Sequence, residues 1–339
     1  MICVGAAVFG VTASAAVASA SATTITENGS SLVYPLVFQW KTAYASTATI
    51  SPTSSSSGTG IDLIQTNAVN IGASDAPMTS NQYSADSHQP VQIPWALSAT
   101  GVGYNISGIG SGLKLNASIL AGIYNGTITK WSSPAIVALN PKYKKQLDKA
   151  PAITAVVRSG GSGDTYAFQH FLSAADPKGW TVGYGTNWLG AGHAVAENGN
   201  SGVAGEVRSN AGTIGYISAY YLITQHITTA AVENAAGNYE FPNTANIKEA
   251  SLSNSTISAQ GANFTGISIV NPAKKYKTAY PISTYTYAIV NSSGENNLSN
   301  VKSFLSWAVT KGQVYGAALK FYPLPASIVS QDQSLINNL

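Results

Sequence analysis

The residues best suited to chemistry lie in one stretch, Arg158-Ser159-Gly160-Gly161-Ser162-Gly163-Asp164-Thr165. Ahead of it, Ala155-Val156-Val157 is a short apolar run of the β type. Behind it, Ala167, Phe168, Phe171, Leu172 and Ala175 recur at helical spacing. Ser162 stands where a helix N-cap is expected, with Gly163 and Asp164 opening the first turn. A strand, a glycine-rich turn and a helix start gather unpaired backbone N–H groups around one point, and that point suits an anion. Glycine lets the backbone come close to a ligand without a Cβ in the way. Arg158 can add two parallel donors to a tetrahedral oxyanion. Of the 17 basic side chains only Arg158 and Arg208 are arginines, which singles out the one beside the turn. A turn of this composition also occurs in α/β proteins without any ligand, so the stretch alone leaves structure and binding both open. Two enzyme motifs are excluded. A phosphate loop of the NTPase type needs Lys after its last glycine, and a nucleophile elbow needs Gly two residues after the serine; Asp164 occupies both places.

The elements that must hold this stretch can be read in outline. Gly29-Ser30-Ser31-Leu32-Val33-Tyr34-Pro35 is a serine-rich turn leading into a helical run, Leu36 to Tyr44. Thr47 to Ser51 alternates like a strand, and Ser54 to Gly60 is a second serine/glycine turn before Ile61, Leu63 and Ile64. Val69 to Pro77 reads as a short strand running into a turn that carries Asp75. Two long β-type runs, Val91 to Tyr104 and Tyr280 to Val290, exceed ordinary strand length and are candidates for two crossings between lobes. Helices are expected over Leu115–Ile123, Ser133–Leu139, Leu298–Val309 and Ser327–Leu335.

With 339 residues the chain is long enough for two lobes. Charged residues make up only 9 % of it, far below the roughly 25 % usual in soluble proteins. A polar but uncharged surface of this kind fits an extracellular protein facing acid, where carboxylates lose their charge. The net charge of +3 is small and spread out, so no nucleic-acid partner is implied. Residues 1–20 are apolar or small and end in Ala18-Ser19-Ala20, a pattern that fits a secretion signal, with an N-terminal anchor as the alternative. Cys3 is the sole cysteine, so no internal disulfide can form. His88, His170, His193 and His226 lack metal-ligand spacing, and neither metal nor cofactor is expected.

Four stretches together resemble one family. They are Gly29 to Pro35, Ser57-Gly58-Thr59-Gly60, Gly72-Ala73-Ser74-Asp75-Ala76-Pro77 and Arg158 to Thr165. The chain is similar there to the phosphate-binding subunit of the phosphate ABC importer. The likeness continues through Gly126 to Trp131, Glu197-Asn198-Gly199-Asn200, Gly212 to Tyr216, Tyr280-Pro281-Ile282 and Pro323-Leu324-Pro325. The resemblance implies an α/β, two-lobed type II periplasmic-binding-protein fold, each lobe a mixed β-sheet flanked by helices, with two hinge strands. Residues 24–97 plus 280–339 would form one lobe and 98–279 the other. Carried over residue by residue, it implies a phosphate site of Ser31, Leu32, Ser57, Asp75, Arg158, Ser162, Gly163 and Asp164. It further implies a secreted, monomeric, non-enzymatic receptor that delivers inorganic phosphate to an ABC permease. A receptor for another oxyanion and an adhesive surface protein on the same fold are the alternatives. Relatives often carry an acid two residues after the arginine, where this chain has Gly160; Asp164 replaces the threonine of many members. Asp164 is therefore expected either to orient Arg158 or to join Asp75 as a second acceptor for phosphate protons, which would favour the monoanion.

Overall fold

The computed structural model describes residues 24–339 apart from 262, 263 and 265. The expected secretion signal and Cys3 lie outside the described residues. Eleven strands follow in order: β1 Thr24–Gly29, β2 Thr49–Ser54, β3 Ile71–Ser74, β4 Pro90–Tyr104, β5 Lys114–Leu115, β6 Thr154–Arg158, β7 Ala194–Glu197, β8 Thr213–Ser218, β9 Ala231–Glu233, β10 Tyr239–Glu240 and β11 Ser283–Asn291. Eight form one sheet in the order β2-β1-β3-β11-β4-β8-β6-β7, and β10-β9-β5 form a small second sheet. Strands β2, β1 and β3 run parallel, as do β8, β6 and β7, while β4 and β11 run antiparallel to their neighbours.

The 15 residues of β4 explain why the sheet is continuous. Residues 90–99 pair with β11, and Thr100 to Tyr104 pair with β8. The sheet therefore consists of two parallel wings joined through one long strand. The second run proposed as a crossing becomes a regular strand only at Ser283; ahead of it the Ile282 carbonyl accepts the Thr100 N–H at 3.0 Å. Most other expected elements are found within a few residues of their sequence positions. The helix after the second serine turn starts earlier than Ile61, at Ser57, because Ser56 caps it by accepting from Thr59 N at 3.1 Å. Strand β7 is short and half exposed, and helix Gly199–Ser209 holds three glycines, so neither has a strong apolar period in sequence.

Each wing has its own aromatic centre. In the first, Trp40 lies edge-on to Trp95 at 5.4 Å, and its indole N–H donates to the Gly312 carbonyl at 2.8 Å. Truncating a buried tryptophan of this kind costs about 3–5 kcal/mol. In the second, Phe168 stacks on Tyr216 at 4.8 Å, with Tyr124 edge-on to Phe168. The Tyr216 hydroxyl accepts from Arg158 N at 3.0 Å and pairs with Thr165 Oγ1 at 2.7 Å, which ties this core to the strand end where Arg158 sits. Among the described residues no helix is long and apolar enough to cross a membrane.

Candidate anion-binding site

In each wing the chain reverses the direction in which strands are added. Strand β1 lies between β2 and β3, and β6 lies between β8 and β7. Loops leaving the carboxyl ends of such strands diverge and open a crevice, the usual ligand position in parallel α/β sheets. The expected site residues sit there. Ser31 and Leu32 follow β1, Ser57 follows β2 and Asp75 follows β3, while Arg158 closes β6 and Ser162 caps helix Gly163–Ala175 by accepting from Asp164 N at 3.1 Å.

The two wings meet at these loops. Gly58 N donates to the Gly161 carbonyl at 2.9 Å, and Gly163 N donates to Ser57 Oγ at 3.0 Å. Gly163 is pressed against Asp75, so that a Cβ placed on it would lie 2.3 Å from Asp75 Cβ. No L residue fits without moving backbone. Gly160, two residues after Arg158, has only Ser56 Oγ at 4.0 Å. Gly163→Ala is therefore expected to weaken anion binding by about 1–3 kcal/mol, the cost of overpacking a tight contact, while Gly160→Ala leaves it unchanged. Titration calorimetry on the two variants separates them, and equal affinities would mean the contact at Gly163 is not needed for binding.

Every charged member of the site is buried: Asp75 is 2 % exposed, Arg158 4 % and Asp164 1 %. Asp75 accepts from Ser30 Oγ at 2.5 and 2.6 Å and from Ser57 Oγ at 3.3 Å. Burial pushes its carboxyl up to about 7, helped by the nearby Asp164 charge and opposed by Ser30, Arg158 and Ser57. Asp164 is raised as well, mainly by burial, with Arg158, Thr100 and Asn200 pulling the other way. Its Oδ1 accepts from Thr100 Oγ1 at 2.7 Å. Its Oδ2 accepts from Asn200 Nδ2 at 2.7 Å and from Arg158 Nη1 at 3.1 Å. Both oxygens of Asp164 thus face protein donors, and the carboxylate orients the guanidinium that Gly160 leaves without an acid nearby in sequence. Arg158 Nε is buried and has no hydrogen-bond partner among the described residues.

Two expected backbone donors are engaged within the protein. Leu32 N donates to Ser30 Oγ at 3.0 Å, and Gly163 N to Ser57 Oγ. Ser30, Thr100 and Asn200 were not among the expected residues. Ser30 adjoins Ser31, and Asn200 lies in the stretch Glu197 to Asn200 that the family resemblance covers. Thr100 carries no sequence signal, because only the pairing of β4 with β8 brings it to Asp164.

Two facing crevices at strand ends, joined through a shared sheet and lined by serines, a buried arginine and a helix N-terminus, define a bilobal solute-binding protein. The PBP superfamily domain matches residues 14–311, and the chain belongs to that superfamily. Within it the chain belongs to the PstS family of phosphate-binding proteins. It is 31 % identical over 326 residues to the phosphate-binding protein PstS of Haemophilus influenzae, covering 93 % of each chain. It is 32 % identical over 286 residues to that of Methanocaldococcus jannaschii, covering 76 % of this chain and 70 % of the relative. Its fold is similar to that of the high-affinity periplasmic phosphate-binding protein PfluDING, solved with phosphate bound (TM-score 0.73, 21 % identity, 92 % and 93 % of the two chains). A phosphate ABC transporter substrate-binding protein from Clostridium perfringens, also with phosphate bound, has a TM-score of 0.61 at 19 % identity, over 89 % of this chain and all of the other.

Proposed function

We propose that this protein captures inorganic phosphate and passes it to the permease of an ABC importer. The observation that carries this reading is the pairing, in one buried crevice, of a carboxylate, Asp75, with a guanidinium, Arg158, that Asp164 holds from one side. Phosphate near neutral pH keeps a proton that Asp75 can accept. Sulfate keeps none, so the same carboxylate would meet a bare oxygen of like charge. A hydrogen bond to a charged group contributes about 1.5–3 kcal/mol, and leaving such a group unmet costs a similar amount. Selectivity of several powers of ten follows from the two together.

In this reading Ser31, Ser57 and Ser162 contribute hydroxyl donors, Leu32 and Gly163 backbone N–H donors, and Arg158 its guanidinium. The hydroxyls of Ser30 and Ser57 hold the Leu32 and Gly163 amides until phosphate replaces them. Asp164 acts through Arg158. Residues 24–97 with 280–339 form one lobe and 98–279 the other, β4 being a hinge. A secreted, monomeric receptor at the cell surface or in a periplasm-like space is consistent with the uncharged composition, and the relatives are named for binding, not for turnover. Calorimetry with phosphate and sulfate, paired with X-ray scattering, tests the reading. One-to-one phosphate binding with a smaller radius of gyration and no response to sulfate is expected. No heat and no compaction with phosphate would overturn it.

A further inference from the structure

Asn200 is the second residue of helix Gly199–Ser209, follows β7 and is 0 % exposed. Its polar groups reach three different strand ends. Its backbone N–H and its Nδ2 both donate to Ser31 Oγ, at 3.2 and 3.1 Å. Nδ2 also donates to Asp164 Oδ2 at 2.7 Å, and Oδ1 accepts from Ser218 N at 2.7 Å. Ser31 belongs to the first wing; Asp164, Asn200 and Ser218 belong to the second.

A hydroxyl has one hydrogen and two lone pairs. Asn200 fills both lone pairs of Ser31, so the remaining capacity of that hydroxyl is a single donor. The same side chain helps fix the carboxylate that holds Arg158. We infer that Asn200 is a positioning residue: when the wings meet, it turns Ser31 into an obligate donor and locks the Asp164–Arg158 pair in register with it. The inference rests on the phosphate reading above and deepens it. It makes the polarity of the site depend on closure. An unprotonated ligand oxygen is required at Ser31, and the ligand's proton is directed to Asp75. With Asn200 removed, Ser31 could rotate and accept, and Asp164 would lose one of its two neutral donors.

The test is a double-mutant cycle between Asn200→Ala and Ser31→Ala, read by calorimetry with inorganic phosphate and by stopped-flow tryptophan fluorescence. Asn200→Ala is expected to raise Kd roughly ten- to hundredfold, the scale of an unmet buried hydrogen-bonding group, chiefly through faster dissociation. Ser31→Ala should then cost at least several-fold less in the Asn200→Ala background than in the wild type. Should Asn200→Ala not fold, Asn200→Ser carries the same cycle, because it keeps a small neutral polar side chain at the helix start but gives up the Nδ2 donor to Ser31 and Asp164. Multiplicative, independent effects on Kd would overturn the inference and leave Asn200 a structural residue only. A wild-type protein that binds no phosphate would instead overturn the phosphate reading itself.

Discussion

Replacing Arg158 by lysine is expected to weaken phosphate binding by about 1.5–3 kcal/mol, the scale of a charge-assisted hydrogen bond. Lysine keeps the positive charge. It loses the planar fork that can hold Asp164 on one side and a ligand oxygen on the other. Nη1 is already committed to Asp164 Oδ2 at 3.1 Å, while the buried Nε has no partner among the described residues, so the geometry leaves donors of the same group for an anion. A compact ammonium cannot divide itself in this way. Removing the cation altogether has a second consequence: Arg158→Ala leaves Asp164 buried without its ion-pair partner, a change that costs about 3–5 kcal/mol of fold stability. Calorimetry on Arg158→Lys, with Arg208→Lys as the control at the other arginine, measures the first effect. Native affinity in Arg158→Lys would assign Arg158 to structure alone.

The protein is expected to be most stable in acid and to lose stability steadily as pH rises. Glu27 on β1 and Asp332 on helix Ala326–Asn337 are 1 % and 0 % exposed. Among the described residues the ion pairs are His88–Asp86, Lys144–Asp148 and Arg158–Asp164, so neither acid has a cation beside it. Burial pushes Glu27 up to about 8, slightly offset by the Thr53 backbone, and pushes Asp332 up to about 9. In the unfolded chain both acids release their protons near pH ~4. The folded state holds these protons until about pH 8 and 9. Between those limits the folded state binds more protons than the unfolded one, so its stability falls with rising pH. The slope is on the order of 1 kcal/mol per pH unit for each fully buried group. This is opposite to the behaviour of an ion-paired carboxylate, whose stabilisation is lost toward acid. Differential scanning calorimetry from about pH 4 to 9 should show Tm falling throughout, and the double variant Glu27→Gln, Asp332→Asn should flatten the profile. A wild-type Tm that rises over this range would show that these acids are not buried protonated.

The expected pH dependence agrees with a chain in which only 9 % of residues are charged. In acid a surface carboxylate contributes little charge, and an acid buried in its protonated form behaves as a neutral hydrogen-bonding group. Asp75 departs from that rule: burial raises it only to about 7, so the carboxylate that accepts the ligand's proton is present from about neutral pH upward.

The local pieces are legible in the order of residues alone. Residues adjacent in the chain must be adjacent in space, so Arg158, the glycine turn and the Ser162 cap could be read as an anion nest before any fold was known. The family resemblance added Ser31, Ser57 and Asp75 by their motifs. Most strand and helix positions were legible because apolar residues recur with the period of the element that buries them. What those pieces do to one another depends on how the chain folds. That Asp164 faces Thr100, Asn200 and Arg158 depends on the pairing of β4 with β8 and on the placement of helix Gly199–Ser209. Gly163 packs against Asp75, 88 positions earlier in the chain, only because the two wings close on each other. Glu27 and Asp332 look like any other acids in sequence; what raises them is the absence of water and of a cation in the folded core. A protonation state is set by its surroundings in three dimensions, and no local pattern encodes those surroundings.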